Sequence, residues 1–191
     1  MKKLAKRFGV VLLSGVLLTT SLIPAGSTFA ASTNDYSTAL KDSIIFYDAN
    51  KCGKDVANNN FFEWRDACHV NDGEDVGLDL SGGYHDAGDH VKFGLPQGYA
   101  AAVLGWSLYE FKDSFDATGN TAKMYEQLKY FTDYFLKSHP NANTFYYQVG
   151  EGNDDHTYWG APEVQPIKDP LYIRQMQVTQ HQISWGKLLQ H

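Results

Sequence analysis

The apolar positions of the chain fall into three helical stretches, with one long polar interval between the first and the second. From residue 36 to 50, Tyr36, Leu40, Ile44 and Tyr47 recur three or four apart, and Asn34 and Asp35 stand where the first turn needs a cap, which predicts a helix. The period returns in YAAAVLGWSLYEFKDSF (99–115), through Val103, Trp106, Leu108, Phe111 and Phe115. It returns again in TAKMYEQLKYFTDYFLKSH (121–139), through Met124, Leu128, Phe131 and Phe135, with Pro140 as the stop. The last two are apolar around much of their circumference, the pattern of helices held between layers.

Residues 51–98 carry no sustained period and are rich in Gly, Asn and Asp, so they read as one long loop of the kind that carries function. TFYYQVG (144–150) reads as a strand or extended turn, and EGNDDHTYWGAPE (151–163) as a further loop. With no βαβ alternation and no internal repeat, the pattern predicts an all-α architecture whose candidate functional residues sit in loops at helix ends.

The first thirty residues stand apart. Lys2, Lys3, Lys6 and Arg7 precede an apolar run from Phe8 to Ile23, broken by Pro24 and Gly26, and small residues lead up to Ala30. This predicts a signal peptide over 1–30, removed after Ala30, and a secreted, extracellular product over 31–191. The run is short for a membrane anchor. Without those four cations, 12 of the 16 Lys and Arg face 22 Asp and Glu, a formal charge of −10. That balance excludes nucleic acid as a natural partner. Aromatic residues at 14% point instead to a folded domain with aromatic surfaces.

The densest chemistry lies in SGGYHDAGDHVKF (81–93), where Asp86 and Asp89 stand three apart among Gly82, Gly83 and Gly88. The glycines permit backbone conformations that turn both carboxylates toward one point. Two acids held that close repel and call for a hydrogen-bond partner or a bound water, and a water deprotonated between them is a nucleophile. A calcium loop or an Asx-turn network is the competing use of such a cluster, although Ala87 and Gly88 interrupt the alternate oxygen ligands that calcium wants.

The segment GLDLSGGYHDAGDHVKFGLPQGYAAAVLGWSLYEF (77–111) closely resembles the N-terminal catalytic signature of glycoside hydrolase family 9, mostly cellulases. ANNNFFEWR (57–65) and DHTYWGAPE (155–163) match further family segments in the same order, so the likeness runs from about Tyr36 to Val164. The resemblance implies an (α/α)6 barrel, of which this chain holds the N-terminal portion, with a cleft across the loops at one end. It implies hydrolysis of β-1,4-glucan with inversion, the activity of an endo-acting cellulase (EC 3.2.1.4). Asp89 then resembles the general base, and Asp86 the second carboxylate that holds the attacking water. An inverting pair stands roughly 6.5–9.5 Å apart, so the acid is expected elsewhere, in a downstream glutamate whose motif is absent here. Glu110, Glu126, Glu151 and Glu163 lie outside any such context. His156 and Trp159 resemble cleft residues beside the scissile bond, where an indole face stacks on a pyranose.

Cys52, Cys68, His69 and His85 form a zinc-type set, and some family members carry zinc there, whereas others have an aromatic residue in place of His85. A disulfide between Cys52 and Cys68 is the alternative in an exported chain. A zinc held by four protein ligands would be structural. His90 is read as a loop or cleft residue, and the family's calcium sites are expected outside this chain.

After WGAPEVQPI the likeness ends, and residues 165–191, or 170–191, are expected to be out of frame. From Gln175 to His191, permitted codons read one frame over can spell NASNPASDILGETAAA, which resembles the family's next segment. The 191-residue product is accordingly expected to fold poorly and to be inactive, with the apolar helices over 99–136 left exposed. Two further readings share the sequence: a processive or other β-glucan hydrolase of the same family, and a non-catalytic carbohydrate-binding or structural module. Cellulose-binding or scaffold-docking modules in a longer protein fit any of these, and neither nucleic acid nor membrane is expected as a partner.

Overall fold

The computed structural model describes residues 33–165 and 173–177, so the signal peptide read over 1–30 and most of the segment after Gln165 lie outside the described residues. Nearly all that is described belongs to the unit Ser37–His191, whereas the unit Met1–Tyr36 falls almost wholly outside it.

Helix α1 (Thr33–Asn50) forms where the first apolar stripe predicts it. Its Ile44 packs with Leu108, Phe115 and Met124 in the hydrophobic core, flanked by Leu40, Leu104 and Leu128. Helix α2 spans Gly94–Glu110 and therefore begins five residues before the expected 99. Pro96 lies in its first turn, where the missing N–H costs no hydrogen bond, and Phe93 enters with an extended backbone. The expected single helix over 99–115 is broken at Phe111, and helix α3 (Lys112–Ala117) follows, with Phe115 in the core while Phe111 stays exposed.

Helix α4 (Thr121–Ser138) packs against α2, and its buried face runs through Met124, Gln127, Phe131, Tyr134 and Ser138. This row differs from the apolar stripe expected there, because two polar residues lie on it. Leu95, Tyr99, Val103 and Trp106 line one face of α2 and stand in solvent among the described residues, so that helix is covered on one side rather than all round.

A small antiparallel sheet completes the fold, in the order β1 (Lys92–Phe93), β2 (Thr144–Val149), β3 (Ile173–Gln177). Lys92 pairs with Val149 in register, which joins the end of the long loop to the predicted strand.

That long loop contains two short 3-10 turns, Val56–Asn58 and Glu74–Val76, and no longer element before β1. Its backbone carbonyls need donors once buried, and three buried cations supply them. Lys92 Nζ donates to the carbonyls of Leu80 (2.5 Å) and Gly82 (3.0 Å), pairs with Asp72 (2.7 Å) and stands 4.7 Å from the Tyr134 ring centroid. Arg65 donates to the carbonyls of Ala49 and Lys51 and pairs with Glu163 at 2.6 Å. Lys51 reaches the Asn59 carbonyl (3.2 Å) and pairs with Asp48 (2.8 Å) and Glu126 (2.9 Å).

Asp48, fully buried at the end of α1, also receives Lys123 (2.7 Å), Gln127 Nε2 (2.6 Å) and the Phe61 N–H (3.0 Å). Gln127 in turn accepts the Tyr84 hydroxyl at 2.6 Å, so α1, the loop and α4 share one polar junction. Burial works against ionisation of Asp48, but the lysine bonds outweigh it and its carboxyl lies below its ordinary value.

Two outcomes follow. Replacing Lys92 by Met strands the buried Asp72 carboxylate and should cost about 3–5 kcal/mol of unfolding free energy in a denaturant titration. Because the pKa of Asp48 is lowered in the folded state, its contribution is complete above the ordinary carboxylate range near 3.8 and is lost as the pH falls below it; thermal unfolding of Asp48→Asn should therefore lose part of the acid sensitivity of the parent.

Candidate active site

Asp86 and Asp89 sit between the buried floor of the loop and its open surface. Below them, the Tyr84 N–H donates to Gln97 Oε1 at 3.0 Å, and the Tyr84 ring stacks on Phe131 with centroids 4.0 Å apart. Gly83 passes over this floor at φ +75°, and a side chain there would meet Gln97 Oε1 at 2.7 Å and the Tyr134 ring at 2.8 Å. The backbone therefore turns where no other residue could follow. A cavity of 190 Å³ lined in part by Asn50, Gln97 and Phe131 opens beside Asp86.

Asp86 is exposed, yet the partial burial of its carboxyl and, second, the nearby Asp89 charge raise its pKa above the ordinary value. Asp89 is better covered, with 13% of its side chain exposed, and His156 Nε2 lies 3.1 Å from its Oδ2. The structure thus brings together Asp86, Asp89 and His156, as the sequence led us to expect. Trp159 also belongs to this group. Its indole lies over the bare Cα of Gly88 and is otherwise 84% exposed, a flat apolar platform at the rim of the loop.

The segment carrying His156 and Trp159 is fixed by residues that sequence reasoning passed over. Glu151 caps the short helix α5 (Gly152–Asp155) by accepting the Asp154 N–H at 3.0 Å. Asp155, 1% exposed, accepts the His90 N–H at 2.8 Å with one oxygen and Gln165 Nε2 at 3.0 Å with the other. His90 Nε2 reaches the Gly160 carbonyl at 3.1 Å, and its ring lies against Tyr158. His90, read as a loop residue, is thus a buried strut between the two loops. The adjacency of Asp155 to His156 was the one sequence signal for its role; nothing in the local pattern pointed to Gln165.

The glutamates have other tasks. Glu126 is paired with Lys51 and Lys123, Glu163 with Arg65, and Glu151 caps α5, which leaves none of these three as a free acid.

Cys52, Cys68, His69 and His85 converge beneath the aspartate loop, with one ligand atom of each within 4.8 Å of all the others. Both cysteines are free and buried, so the disulfide alternative is not the arrangement found. A tetrahedron around zinc needs ligand separations of about 3.3–3.8 Å. Cys68 Sγ and His85 Nε2 stand 3.8 Å apart, and the donor set of two thiols and two imidazoles suits that ion.

The bonds in the cluster favour thiolate at Cys68 and not at Cys52. The Cys52 thiol, then His69 and His85, hold Cys68 far below the ordinary thiol value against the effect of burial, whereas burial pushes Cys52 up. Burial would lower His69, but Cys68, Asp72 and Gln165 raise it to about 9.

The sequence model of glycosyl hydrolase family 9 matches residues 36–184, and the chain belongs to that family. The match runs past Val164, where the quoted likeness ends. Among curated relatives, Endoglucanase 4 of Bacillus sp. (strain KSM-522) is 47% identical over 138 residues, 72% of this chain and 22% of the relative. Endoglucanase A of Bacillus pumilus is 45% identical over 138 residues, 72% of this chain and 21% of the relative. Among solved structures, the cellulase Cel9M of C. cellulolyticum superposes with a TM-score of 0.73 and 75% identity over 77% of this chain and 34% of that chain, and it has also been solved with cellobiose. The chain spans about a fifth of the length of these curated relatives. Its fold is the N-terminal portion of the family's (α/α)6 barrel, with the small sheet as the departure from a purely helical pattern.

A methyl group at Gly88 would collide with the Trp159 indole. Gly88→Ala should therefore displace the indole and change its fluorescence emission, while unfolding free energy falls by no more than about 1–3 kcal/mol.

Proposed function

We propose that the protein to which this chain belongs is a secreted endo-β-1,4-glucanase that hydrolyses cellulose with inversion. The observation that carries this reading is the pair Asp86 and Asp89 on one rigid loop, with the His156 imidazole on Asp89 and the open Trp159 face beside them. The names of the relatives support the glucan as substrate.

In the proposed reaction a glucose unit lies against Trp159, where the indole covers its apolar face. A water between Asp89 and the anomeric carbon loses its proton to the Asp89 carboxylate and attacks from the side opposite the leaving oxygen. Asp86 accepts a hydrogen bond from the same water and sets its direction. His156 donates to Asp89 and keeps the carboxylate turned toward the water. On the family resemblance, protonation of the leaving oxygen falls to a glutamic acid further along the protein; Glu126, Glu151 and Glu163 are held in structural bonds.

The four-residue cluster is proposed to hold a structural zinc through Cys52, Cys68, His69 and His85. Bound there, the ion would clamp the long loop beneath Asp86, with no position open for water. Export through the leader over 1–30 brings such an enzyme to its insoluble substrate.

In a complete catalytic domain carrying this segment, Asp89→Asn should lower turnover of carboxymethylcellulose by about 10²–10⁴-fold, with oligosaccharide binding retained by calorimetry. Undiminished turnover would refute the assignment. The same protein should retain one equivalent of zinc through dialysis, measured by elemental analysis, and Cys52→Ser should lose it.

A further inference from the structure

The cluster of cysteines and histidines and the segment behind Trp159 are joined by a continuous run of hydrogen bonds. His69 Nε2 lies 2.7 Å from Gln165 Oε1. The other end of the same amide, Gln165 Nε2, donates to Asp155 Oδ2 at 3.0 Å. Asp155 Oδ1 accepts the backbone N–H of His90 at 2.8 Å, one residue from Asp89, and His90 Nε2 reaches the carbonyl of Gly160, one residue from Trp159.

The chemistry of each link constrains the next. An amide is a donor at one end and an acceptor at the other, so with Nε2 on the Asp155 carboxylate, Gln165 can offer only Oε1 to His69. His69 must then donate from Nε2, and a metal would be taken by Nδ1. A hydrogen bond on the second nitrogen of a ligating histidine fixes its tautomer and ring orientation. Asp155 cannot be exchanged freely either, because it is buried and already uses both oxygens.

From this geometry we infer that Gln165 is a positioning residue that joins the metal-binding cluster to the aspartate loop and the Trp159 platform. Resting on the zinc reading above, the inference adds that loading the cluster and ordering the sugar-binding rim are coupled chiefly through this side chain, beside the packing of the His90 ring on His69 and His85 and the Arg65 link from Cys68 to Glu163. Bound at the cluster, zinc would strengthen the Nε2–H of His69 as a donor to Gln165, and the aligned amide would hold Asp155 where it receives His90. Without the bridge, the Asp155 carboxylate that receives the His90 N–H loses one of the two hydrogen bonds that anchor it.

The test compares the parent with Gln165→Leu, which removes both bonds at similar size, and Gln165→Glu, which keeps an acceptor for His69 but sets a carboxylate against Asp155. All are made in the complete domain. Zinc affinity is read by competition with a chromophoric chelator, and the rim by Trp159 emission against a Trp159→Phe control, before and after zinc removal.

Expected results are zinc binding weakened about 10–100-fold in Gln165→Leu and a Trp159 signal that responds to zinc in the parent and much less in that variant. Gln165→Glu should keep most of the zinc affinity and lose most of the rim response. If Gln165→Leu binds zinc as tightly as the parent, or if its Trp159 signal follows zinc as fully as the parent's does, the bridge is overturned while the zinc reading stands. If the parent itself binds no zinc, both fail, and that outcome is distinct from the first two. In steady-state kinetics, the bridge predicts that Gln165→Leu raises KM more than it lowers kcat; an equal loss in a less stable protein would mark a merely structural role and overturn it.

Discussion

Everything at the proposed active site rests on the burial of positive charge beneath a loop that has almost no regular structure. Between α1 and β1 the chain runs for about forty residues with only two short 3-10 turns, so its carbonyls cannot be satisfied by a ladder of N–H groups. Lys51, Arg65 and Lys92 reach in on long aliphatic stems and serve several carbonyls each, while Asp48, Glu163 and Asp72 neutralise them. Removing such ions from water costs several kcal/mol each, and well-formed pairs roughly offset it. Each cation ties together carbonyls and carboxylates from separate parts of the loop, which favours one conformation of it.

Upon that floor the two aspartates lie outside any helix or strand. The Tyr84 ring, stacked on Phe131 and bonded to Gln127, ties the loop to α4, and Gln97 ties it to α2. The second loop, from α5 to Gln165, then leans on the first through Asp155 and His90. Rigidity beneath and openness above suit the proposed chemistry, in which a water is held in one place.

The helices, the strand β2 and the residues of the aspartate loop were legible in the sequence because each depends on local information. A helix shows itself in a period of 3.6, and β2 in a run of aromatic and β-branched residues bounded by Asn and Gly. Other features were not legible for a common reason: they answer to distant partners. The buried row of α4 includes Gln127 where an apolar pattern favours Leu128, because Asp48 and Tyr84 lie across from it and need an amide. The break at Phe111, which leaves Phe115 buried beyond it, is announced by no glycine or proline.

The sequence by itself determined the family, the helical class, the aspartate pair and the four cluster residues, since these are carried by residue type and short spacing. Tertiary structure alone decided that His156 lies on Asp89, that Trp159 covers Gly88, that the two cysteines stay apart as thiols beside two imidazoles, and that Asp155 and Gln165 connect them. Those contacts join segments up to some hundred residues apart. They arise only when desolvation forces each buried donor and acceptor to find its partner, a condition that no local pattern of residues records.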